Sequence, residues 1–383
     1  CPADSRDARP IQSIPNTKMK TFLVAALAAA ALFAADPAAG RGWWEHVLFL
    51  ADDKLEGRET GSAGYRKAAE YVAGEFERAG LKAAGVSGYM QPVKFRSLQL
   101  EEQKSSVAMV RRGVAAPLKI GEALLLSATG EAGTVEGEAV FAGYGLKIPE
   151  IKYDDLAGLD LRGKIAVFFT GGPENIPGPL LAHAQSSTER WGALKQAGAI
   201  GMARILNPKS MDVPWARMAL NRNHPSMSLA DPQLQDLAGV RVSMTLNPER
   251  AGMFFEGSTQ SFEQIRDLAV VRKALPRFPL GFKFRVKTAV KRGEAESPNV
   301  VALIEGSDPK LKQEYVVLSA HLDHMGIGQP IDADRIYNGA MDDASGVASL
   351  IEIARGFRER DVRLKRTIVF AAVAAEEKGL LGS

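Results

Sequence analysis

TIVFAAVA, residues 367–374, is an apolar run without alternation of polar and apolar residues. Such a run is typical of a strand that is buried on both faces. NVVALIE (299–305) and YVVLSA (315–320) predict two further strands, and the polar segment 306–314 between them suits an antiparallel pair. Residues 344–358 carry apolar side chains at three- and four-residue steps and predict a helix. Buried strands interleaved with helices predict an α/β fold, a mixed sheet flanked by helices.

The segment 55–81 lies earlier in the chain and combines a cluster of turn residues with a helical pattern. Apolar residues recur at three- and four-residue steps from Tyr65 to Ala79, and Gly80 follows as a helix stop. We expect an amphipathic helix that packs against another element.

Between about residues 135 and 230 the pattern changes to short β-type runs separated by Gly, Pro and Asp. Residues 164–170 predict a strand, and residues 191–198 predict a helix that leads into a strand at 200–205. Short strands with one or two helices predict a compact inserted module.

The composition is that of ordinary globular protein, with 383 residues of which 46% are hydrophobic and 24% charged. This length allows two or three domains. Lys plus Arg number 48 and Asp plus Glu number 45, which gives a formal charge of +3. The chain has neither a basic stripe that would indicate nucleic acid nor an acidic tail that would indicate a partner. We therefore expect small substrates.

The N-terminal region has the pattern of a secretory signal. The first methionine is Met19, so we expect residues 1–18 to be read from upstream of the true start and residues 19–39 to be the signal peptide. Lys20 is followed by the apolar stretch 22–34, which is shorter than the roughly 20 residues of a membrane helix. A buried Ala-rich helix and a retained anchor are the alternatives. We expect a secreted or periplasmic protein without stable membrane insertion after signal removal.

Acidic residues and histidines form three clusters near the end of the chain, each where a predicted strand ends or a helix begins. They are His321 with Asp323 in LSAHLDHMG (318–326), Asp342 with Asp343 in YNGAMDDASG (337–346), and Glu376 with Glu377 in AAEEKGLLGS (374–383). In an open α/β sheet, sites form beyond the carboxyl ends of the strands. The three clusters can therefore converge.

The residue types of these clusters suit zinc, since imidazole and carboxylate are its usual ligands and a carboxylate can bridge two ions. Asp342 is the natural bridge. Asp323 lies two residues from His321 on the same side of an extended segment, so we expect it to hold the second ring nitrogen of His321. Glu376 and Glu377 can serve one site only if the strand ends in an irregular turn. One could then bind metal while the other takes a proton from the metal-bound water.

Each cluster alone has a simpler explanation, such as a surface or capping role. The order of the clusters and their position at strand ends favour a shared site. We interpret His324 as structural or substrate-facing rather than as a ligand, and the remaining histidines as surface or core residues: His46, His183 and His224.

LSAHLDHMG, YNGAMDDASG and AAEEKGLLGS together resemble the co-catalytic zinc peptidases, which include secreted bacterial leucyl aminopeptidases, aminopeptidase Y, glutamate carboxypeptidase II and glutaminyl cyclase. The segment 55–81 resembles the N-terminal helix region of the same family. FAGYGL (141–146) with YDDLAGLDLRGKIAVF (153–168) resembles the protease-associated domain that many members carry as an insertion.

The resemblance implies two Zn²⁺ ions and a role for each clustered residue. His321 would bind one zinc, Glu377 the other, and Asp342 would bridge them, while Glu376 would be the general base and Asp323 would orient His321. It also implies one more aspartate and one more histidine ligand downstream of the segment that ends at Ser383. We therefore expect the chain as given to be an inactive fragment of a zinc exopeptidase, with peptides or amino-acid amides as substrates.

The resemblance also implies a division of the chain into domains. Residues 40–98 would be the N-terminal helical part of the peptidase domain, residues 99–290 the insertion with its protease-associated core at about 131–245, and residues 291–383 the first part of the catalytic domain. Two alternatives stay open: a zinc aminoacylase or carboxypeptidase with ligands in a similar order, and a non-catalytic binding or receptor-like relative. YNGAMDDASG and the insertion favour the peptidase hypothesis over the aminoacylases.

Overall fold

A computed structural model describes residues 37–128, 132–360 and 363–383, in which helices pack on two main sheets. Residues 1–36, which hold the predicted upstream segment and most of the predicted signal peptide, lie outside the described residues. The helices are α1 Pro37–Leu50, α2 Ala63–Arg78, α3 Gly178–Gln185, α4 Ser187–Gln196, α5 Trp215–Leu220, α6 Gly252–Phe255, α7 Phe262–Val270 and α8 Ser345–Glu359. The strands are β1 Lys82–Ala83, β2 Met90–Leu100, β3 Ser106–Arg111, β4 Val114–Leu118, β5 Leu124–Leu126, β6 Gly133–Ala142, β7 Lys147–Ile148, β8 Tyr153–Asp154, β9 Ile165–Phe169, β10 Gly201–Ile205, β11 Ser226–Leu229, β12 Val242–Leu246, β13 Arg277–Thr288, β14 Val290–Ile304, β15 Tyr315–His321, β16 Gly326–Ile331, β17 Asp334–Tyr337 and β18 Thr367–Val373.

The first sheet has the strand order β11–β2–β14–β18–β15, with β1 added alongside β14. Strand β18 pairs antiparallel with β14 and parallel with β15. The predicted antiparallel pairing of the segments 299–305 and 315–320 is therefore wrong, because β18 lies between them. The reason is burial: β18 is apolar after Thr367 and takes an interior position, whereas β15 leaves Tyr315 and Val317 exposed.

Helices α2 and α8 pack on the first sheet and α1 packs on α8, so that the three helices enclose one core and the predicted α/β class is confirmed. Helix α2 begins after Ser62, whose hydroxyl accepts a hydrogen bond from the Tyr65 amide, and the chain leaves it through Gly80 at φ +69°. The apolar positions predicted from the helical spacing are buried in this core: Tyr65, Ala68, Ala69, Val72, Phe76 and Ala79.

The second sheet lies within residues 106–288 and has the order β4–β3–β13–β6–β9–β10–β12–β5. Strands β6, β9, β10 and β12 are parallel neighbours, and α4 leads into β10 as the sequence predicted. Every residue of β9 is buried. Phenylalanines dominate the core of this sheet: Phe141, Phe169, Phe254, Phe255, Phe278 and Phe284.

The chain passes between the two sheets four times. It leaves the first sheet after β2, returns as β11, leaves again towards β12, and returns for good from β13 to β14. Strand β11 pairs antiparallel with β2, with Ser226 opposite Leu98 and Leu229 opposite Phe95. None of the helices in the described stretches is long and apolar enough to cross a membrane.

Candidate metal centre

The three predicted clusters converge at one edge of the first sheet. His321 is the last residue of β15 and lies opposite Val373, the last residue of the parallel strand β18. Glu376 and Glu377 follow β18 directly, and Asp342 lies in the irregular turn that opens α8. Because parallel strands present their carboxyl ends at the same edge, sequence-distant side chains meet there.

The imidazole of His321 lies between a carbonyl and a carboxylate. Its Nδ1 is 3.1 Å from the Asp323 carbonyl oxygen, and its Nε2 is 2.8 Å from Asp342 Oδ1 and 3.8 Å from Glu376 Oε2. Burial alone would lower the pKa of His321, but the carboxylates of Glu376 and Asp342 outweigh burial and raise it. With Nδ1 held by the carbonyl, Nε2 is the nitrogen that faces the carboxylates.

The carboxylate of Asp323 holds the glutamate turn rather than the imidazole. It is fully buried, with Oδ1 accepting from the Glu376 amide at 3.0 Å, and Oδ2 accepting from the Glu377 amide at 3.3 Å and the Thr60 hydroxyl at 3.1 Å. Burial raises the pKa of Asp323, although these hydrogen bonds oppose the shift. The His321 Nδ1 is 3.9 Å from Asp323 Oδ1, which is longer than a hydrogen bond. The expectation that this carboxylate orients His321 directly therefore differs from the structure, in which the backbone carbonyl of Asp323 does so.

The two glutamates reach the same site because β18 ends in an irregular turn. The strand stops at Val373 and Ala375 adopts φ +56°. Glu376 then faces His321, while Glu377 faces His324. This is the irregular end that the sequence required for both glutamates to serve one site. Burial raises the pKa of Glu376, and the neighbouring carboxylates add to the shift against the opposing effect of His321.

His324 lies in this cluster, although sequence reasoning gave it a structural or substrate-facing role. Its Nδ1 is 2.6 Å from Glu377 Oε1, and both atoms are shielded from solvent without a hydrogen-bond partner among the described residues. One ligand atom each from His324, Asp342 and Glu377 lie within 4.8 Å of one another. The signal in the sequence was the second histidine of AHLDH, which spacing alone could not place.

The donor set fits zinc. Nitrogen and carboxylate oxygen are the ligand types that zinc prefers, and two buried donor atoms lack any other partner. Asp342 Oδ1 lies 2.8 Å from His321 Nε2, and Asp342 also offers a ligand atom within 4.8 Å of those of His324 and Glu377. A carboxylate in that position can be shared by two ions.

Arg58 ties the segments that carry these residues together, and sequence reasoning missed it. The side chain is 1% exposed and donates to the carbonyl oxygens of Leu322, Leu50, Asn338 and Gly339. Leu322 separates His321 from Asp323, and Gly339 precedes the turn of Asp342. Burial lowers the pKa of Arg58 to about 10, so it is charged at neutral pH.

The turn that carries Arg58 needs glycine beside it. Gly57 has φ +68°, and a Cβ there would collide with the carbonyl oxygen of Tyr337 and with Gly326. The close approach of the hairpin β16–β17 to this turn therefore depends on Gly57.

A buried ion pair lies beside the centre. Lys378 Nζ is 2.9 Å from Glu59 Oε1, and the Lys378 side chain is 4% exposed. His224, two residues before β11, approaches the same oxygen to 3.7 Å. Burial alone would raise the pKa of Glu59, but His224 and Lys378 lower it. Next to Lys378, a cavity of about 220 Å³ lies between β11 and the segment that follows the glutamates.

Comparison with known proteins finds a family match over the segment that carries these residues. Residues 299–383 match the profile of peptidase family M28. The M28 segment contains all five residues predicted for the centre: His321, Asp323, Asp342, Glu376 and Glu377.

Relatives with curated descriptions match over short stretches. A probable zinc metalloprotease of Pyrenophora teres f. teres is 44% identical over 84 residues, which is 22% of this chain and 17% of that protein. Carboxypeptidase Q of Xenopus laevis is 35% identical over 95 residues, which is 25% of this chain and 18% of that protein. The chain thus matches less than a fifth of the length of either relative.

A solved structure extends the comparison to most of the fold. The aminopeptidase from Aneurinibacillus sp. strain AM-1 superposes with a TM-score of 0.50 at 19% identity, covering 89% of this chain and 64% of that one. At this identity the likeness concerns the fold alone. It agrees with the mixed sheets and flanking helices described above.

Proposed function

We propose that this chain forms part of a secreted zinc exopeptidase, most simply an aminopeptidase, that hydrolyses terminal peptide bonds with two zinc ions and a glutamate base. The observation that carries the proposal is the position of Asp342, whose Oδ1 lies 2.8 Å from His321 Nε2 and which also offers a ligand atom within 4.8 Å of those of His324 and Glu377. His321 and Glu377 would bind separate zinc ions and Asp342 would bridge them. Zinc in such a site supplies a nucleophilic water at neutral pH and stabilises the oxyanion.

The residues of the chain would hold the reacting groups in position and transfer one proton. Glu376 reaches the site beside His321, does not share the His324 contact of Glu377, and has a raised pKa, as suits a group that accepts a proton from water and passes it to the leaving amine. Asp323 holds the amides of both glutamates and so fixes the distance between base and ligand. The proposed insertion, with its protease-associated core, borders the centre through His224 and β11.

The similarity to Carboxypeptidase Q supports a second candidate function, in which residues are removed from the carboxyl terminus of a peptide rather than from its amino terminus. Amino-acid anilides with a free amino group and N-acylated dipeptides with a free carboxylate distinguish the two. An aminopeptidase cleaves only the first set, and a carboxypeptidase only the second.

The function is tested in a chain extended beyond Ser383 with the C-terminal segment of a close relative, by comparing Glu376→Gln with the otherwise identical parent in the presence of zinc. We expect the variant to keep its bound zinc but to lose at least about 10²-fold in turnover, because the base is removed while the ligands stay. Zinc content and anilide hydrolysis are measured on the same samples, with the exposed Glu150→Gln as control. Hydrolysis by Glu376→Gln at nearly the parental rate would show that Glu376 is not the base.

A further inference from the structure

We propose that Arg190 and Arg204 form an anion-binding site on the second sheet, which takes a carboxylate or phosphate group. The site lies at the carboxyl ends of the parallel strands β9, β10 and β12, on a different sheet from the metal centre. This inference goes beyond the proposed function and does not rest on it, because neither zinc nor peptide hydrolysis enters it.

The first argument is the burial of Arg190 without a hydrogen-bond partner. The residue is 7% exposed, and its Nε and Nη2 atoms are shielded from solvent and have no partner among the described residues. The guanidinium carbon lies 4.5 Å from the centroid of the Phe168 ring, which covers one face of the group but offers no oxygen to its donors. Burial lowers the pKa of Arg190 to about 10 and the nearby charge of Arg204 adds to the shift, so the side chain is still charged at neutral pH. A buried charge without a partner is unfavourable, and a bound anion removes that cost.

The second argument is the strand register, which places a second arginine and a hydroxyl beside Arg190. Arg204 on β10 lies opposite Phe168 on β9 and opposite Thr245 on β12. Residues in register on neighbouring parallel strands point to the same face of the sheet, so Arg204 lies beside the ring on which Arg190 stacks. Arg204 Nε donates to the Thr245 hydroxyl at 2.9 Å, and the residue as a whole is exposed. An anion can therefore reach the pair of arginines from solvent, past Arg204.

The third argument is that no acidic side chain in the described part of the chain forms an ion pair with either arginine. The carboxylate of Asp155 is near enough to oppose the pKa shift of Arg190, but its oxygens accept from two backbone amides and a tyrosine hydroxyl. Glu189, the neighbour of Arg190 on α4, instead lies 3.8 Å from His183. The negative charge that would balance the two arginines must therefore come from a bound anion.

The fourth argument is the position of the site at the end of the sheet. Phe168, Arg204 and Thr245 are each the last residue but one of a strand. Helix α4 carries Arg190 in its first turn and leads into the amino end of β10, so its N-terminus lies at the same edge. Helix N-termini favour anions, and ligands of open α/β sheets bind beyond the carboxyl ends of the strands. Carboxylate and phosphate are the groups that match the planar fork of donors of a guanidinium.

The test follows the thermal unfolding of the parent chain in a zwitterionic buffer with sodium phosphate, sodium acetate or sodium chloride at matched ionic strengths. An anion that binds only the folded protein raises its Tm. We expect phosphate or acetate to raise the Tm of the parent in a saturable way, and the one that acts at the lower concentration identifies the preferred oxyanion. Arg190→Met and Arg204→Met should bind it at least about 10-fold more weakly, because each loses hydrogen bonds between charged groups. Arg162→Met, whose arginine is 85% exposed and paired with Asp160 in the same region, is the matched control and should respond like the parent.

A comparison without added anion guards against a folding defect in the variants. Arg190→Met should then unfold at a Tm no lower than that of the parent, because methionine keeps an apolar contact with Phe168 and removes an unpaired buried charge. A lower Tm would show that Arg190 already has a partner within the protein, and would overturn the site.

The decisive quantity is the difference between the parent and Arg190→Met, since phosphate also strengthens apolar burial in any protein. Equal shifts of Tm in the parent and Arg190→Met would overturn the site. A shift specific to the parent that is as large with chloride as with either oxyanion would overturn the proposed class of ligand.

Discussion

Two buried charged residues hold the centre, each by contacts to backbone. The Asp323 carboxylate accepts from the amides of Glu376 and Glu377, whereas the Arg58 guanidinium donates to four carbonyls. Buried charges of this kind are stable only when hydrogen bonds satisfy them. Together they fix the backbone on which His321, Asp342 and the glutamates stand.

Removing the Arg58 charge should therefore destabilise the protein. Arg58→Met would leave the carbonyls of Leu322, Asn338 and Gly339 without their donor, and we expect a loss of about 3–5 kcal/mol in the free energy of unfolding. Arg58→Lys should lose less, because it keeps a charge but not the planar fork. Urea unfolding measures both, with the exposed Arg266→Met as control. Equal stability of Arg58→Met and the parent would contradict the role.

At the residue scale, the chemistry could be predicted but much of its support could not. His321 and Asp342 were predicted because their types suit zinc and they lie at a predicted strand end and at a helix start. The choice of Glu377 over Glu376 as the ligand came from the family resemblance. Arg58 was missed because its acceptors are spread from Leu50 to Gly339, so that no local pattern shows them. The position of His324 depends on the turn after β15, which residue spacing does not define.

At the element scale, the positions of the strands were predicted more reliably than the pairing between them. Periodicity and apolar runs depend on local sequence, and β9, α4, β10 and α8 lie where the patterns indicated. Pairing depends on which strand buries most, and so β18 enters between β14 and β15. Strand β11 is short and half-buried, and nothing in its sequence indicated a return to the first sheet.

The buried carboxylate of Asp155, which binds the turn FAGYGL (141–146) in the second-sheet region, should make the stability of the protein depend on pH. Asp155 is 5% exposed and accepts from the amides of Tyr144 and Leu146 and from the hydroxyl of Tyr153. Burial raises the pKa of Asp155 from 3.8 to about 6, although these hydrogen bonds oppose it. The folded protein therefore holds this proton more tightly than the unfolded chain between about pH 4 and pH 6.

Because of that difference, the contribution of Asp155 to stability should fall as pH rises through this window and stay level above it. Asp155→Asn cannot ionise but keeps an acceptor for the amides and a donor for Tyr153. We expect the parent to gain up to about 3 kcal/mol relative to Asp155→Asn between pH 7 and pH 4. Urea unfolding at four pH values measures the difference, and the exposed Asp236→Asn is the control. If the difference in the free energy of unfolding between the parent and Asp155→Asn did not change with pH, the raised pKa of Asp155 would be contradicted.

At the scale of the whole molecule, the predicted signal peptide indicates that the protein is exported from the cell. Lys20 and the apolar stretch 22–34 form the proposed signal. Expression in a Gram-negative host should give a periplasmic or extracellular chain whose N-terminus lies between about Ala30 and Gly42, as found by mass spectrometry. Leu27→Glu should keep the precursor in the cytosol, because it breaks the apolar core. An intact Met19 on a cytosolic parent chain would contradict export.

The return of β11 to the first sheet bears on how a substrate reaches the centre. An insertion joined by two crossings can swing on them as on a hinge, but here four crossings join the two sheets, and the middle two flank a hydrogen-bonded strand. Rotation of the second sheet away from the first would break the β2–β11 pairing and shift His224 from Glu59. Entry by wide domain opening is therefore disfavoured. Access to the cavity beside Lys378 then depends on movements of individual loops, and the size of a substrate is limited by a rim that stays nearly fixed.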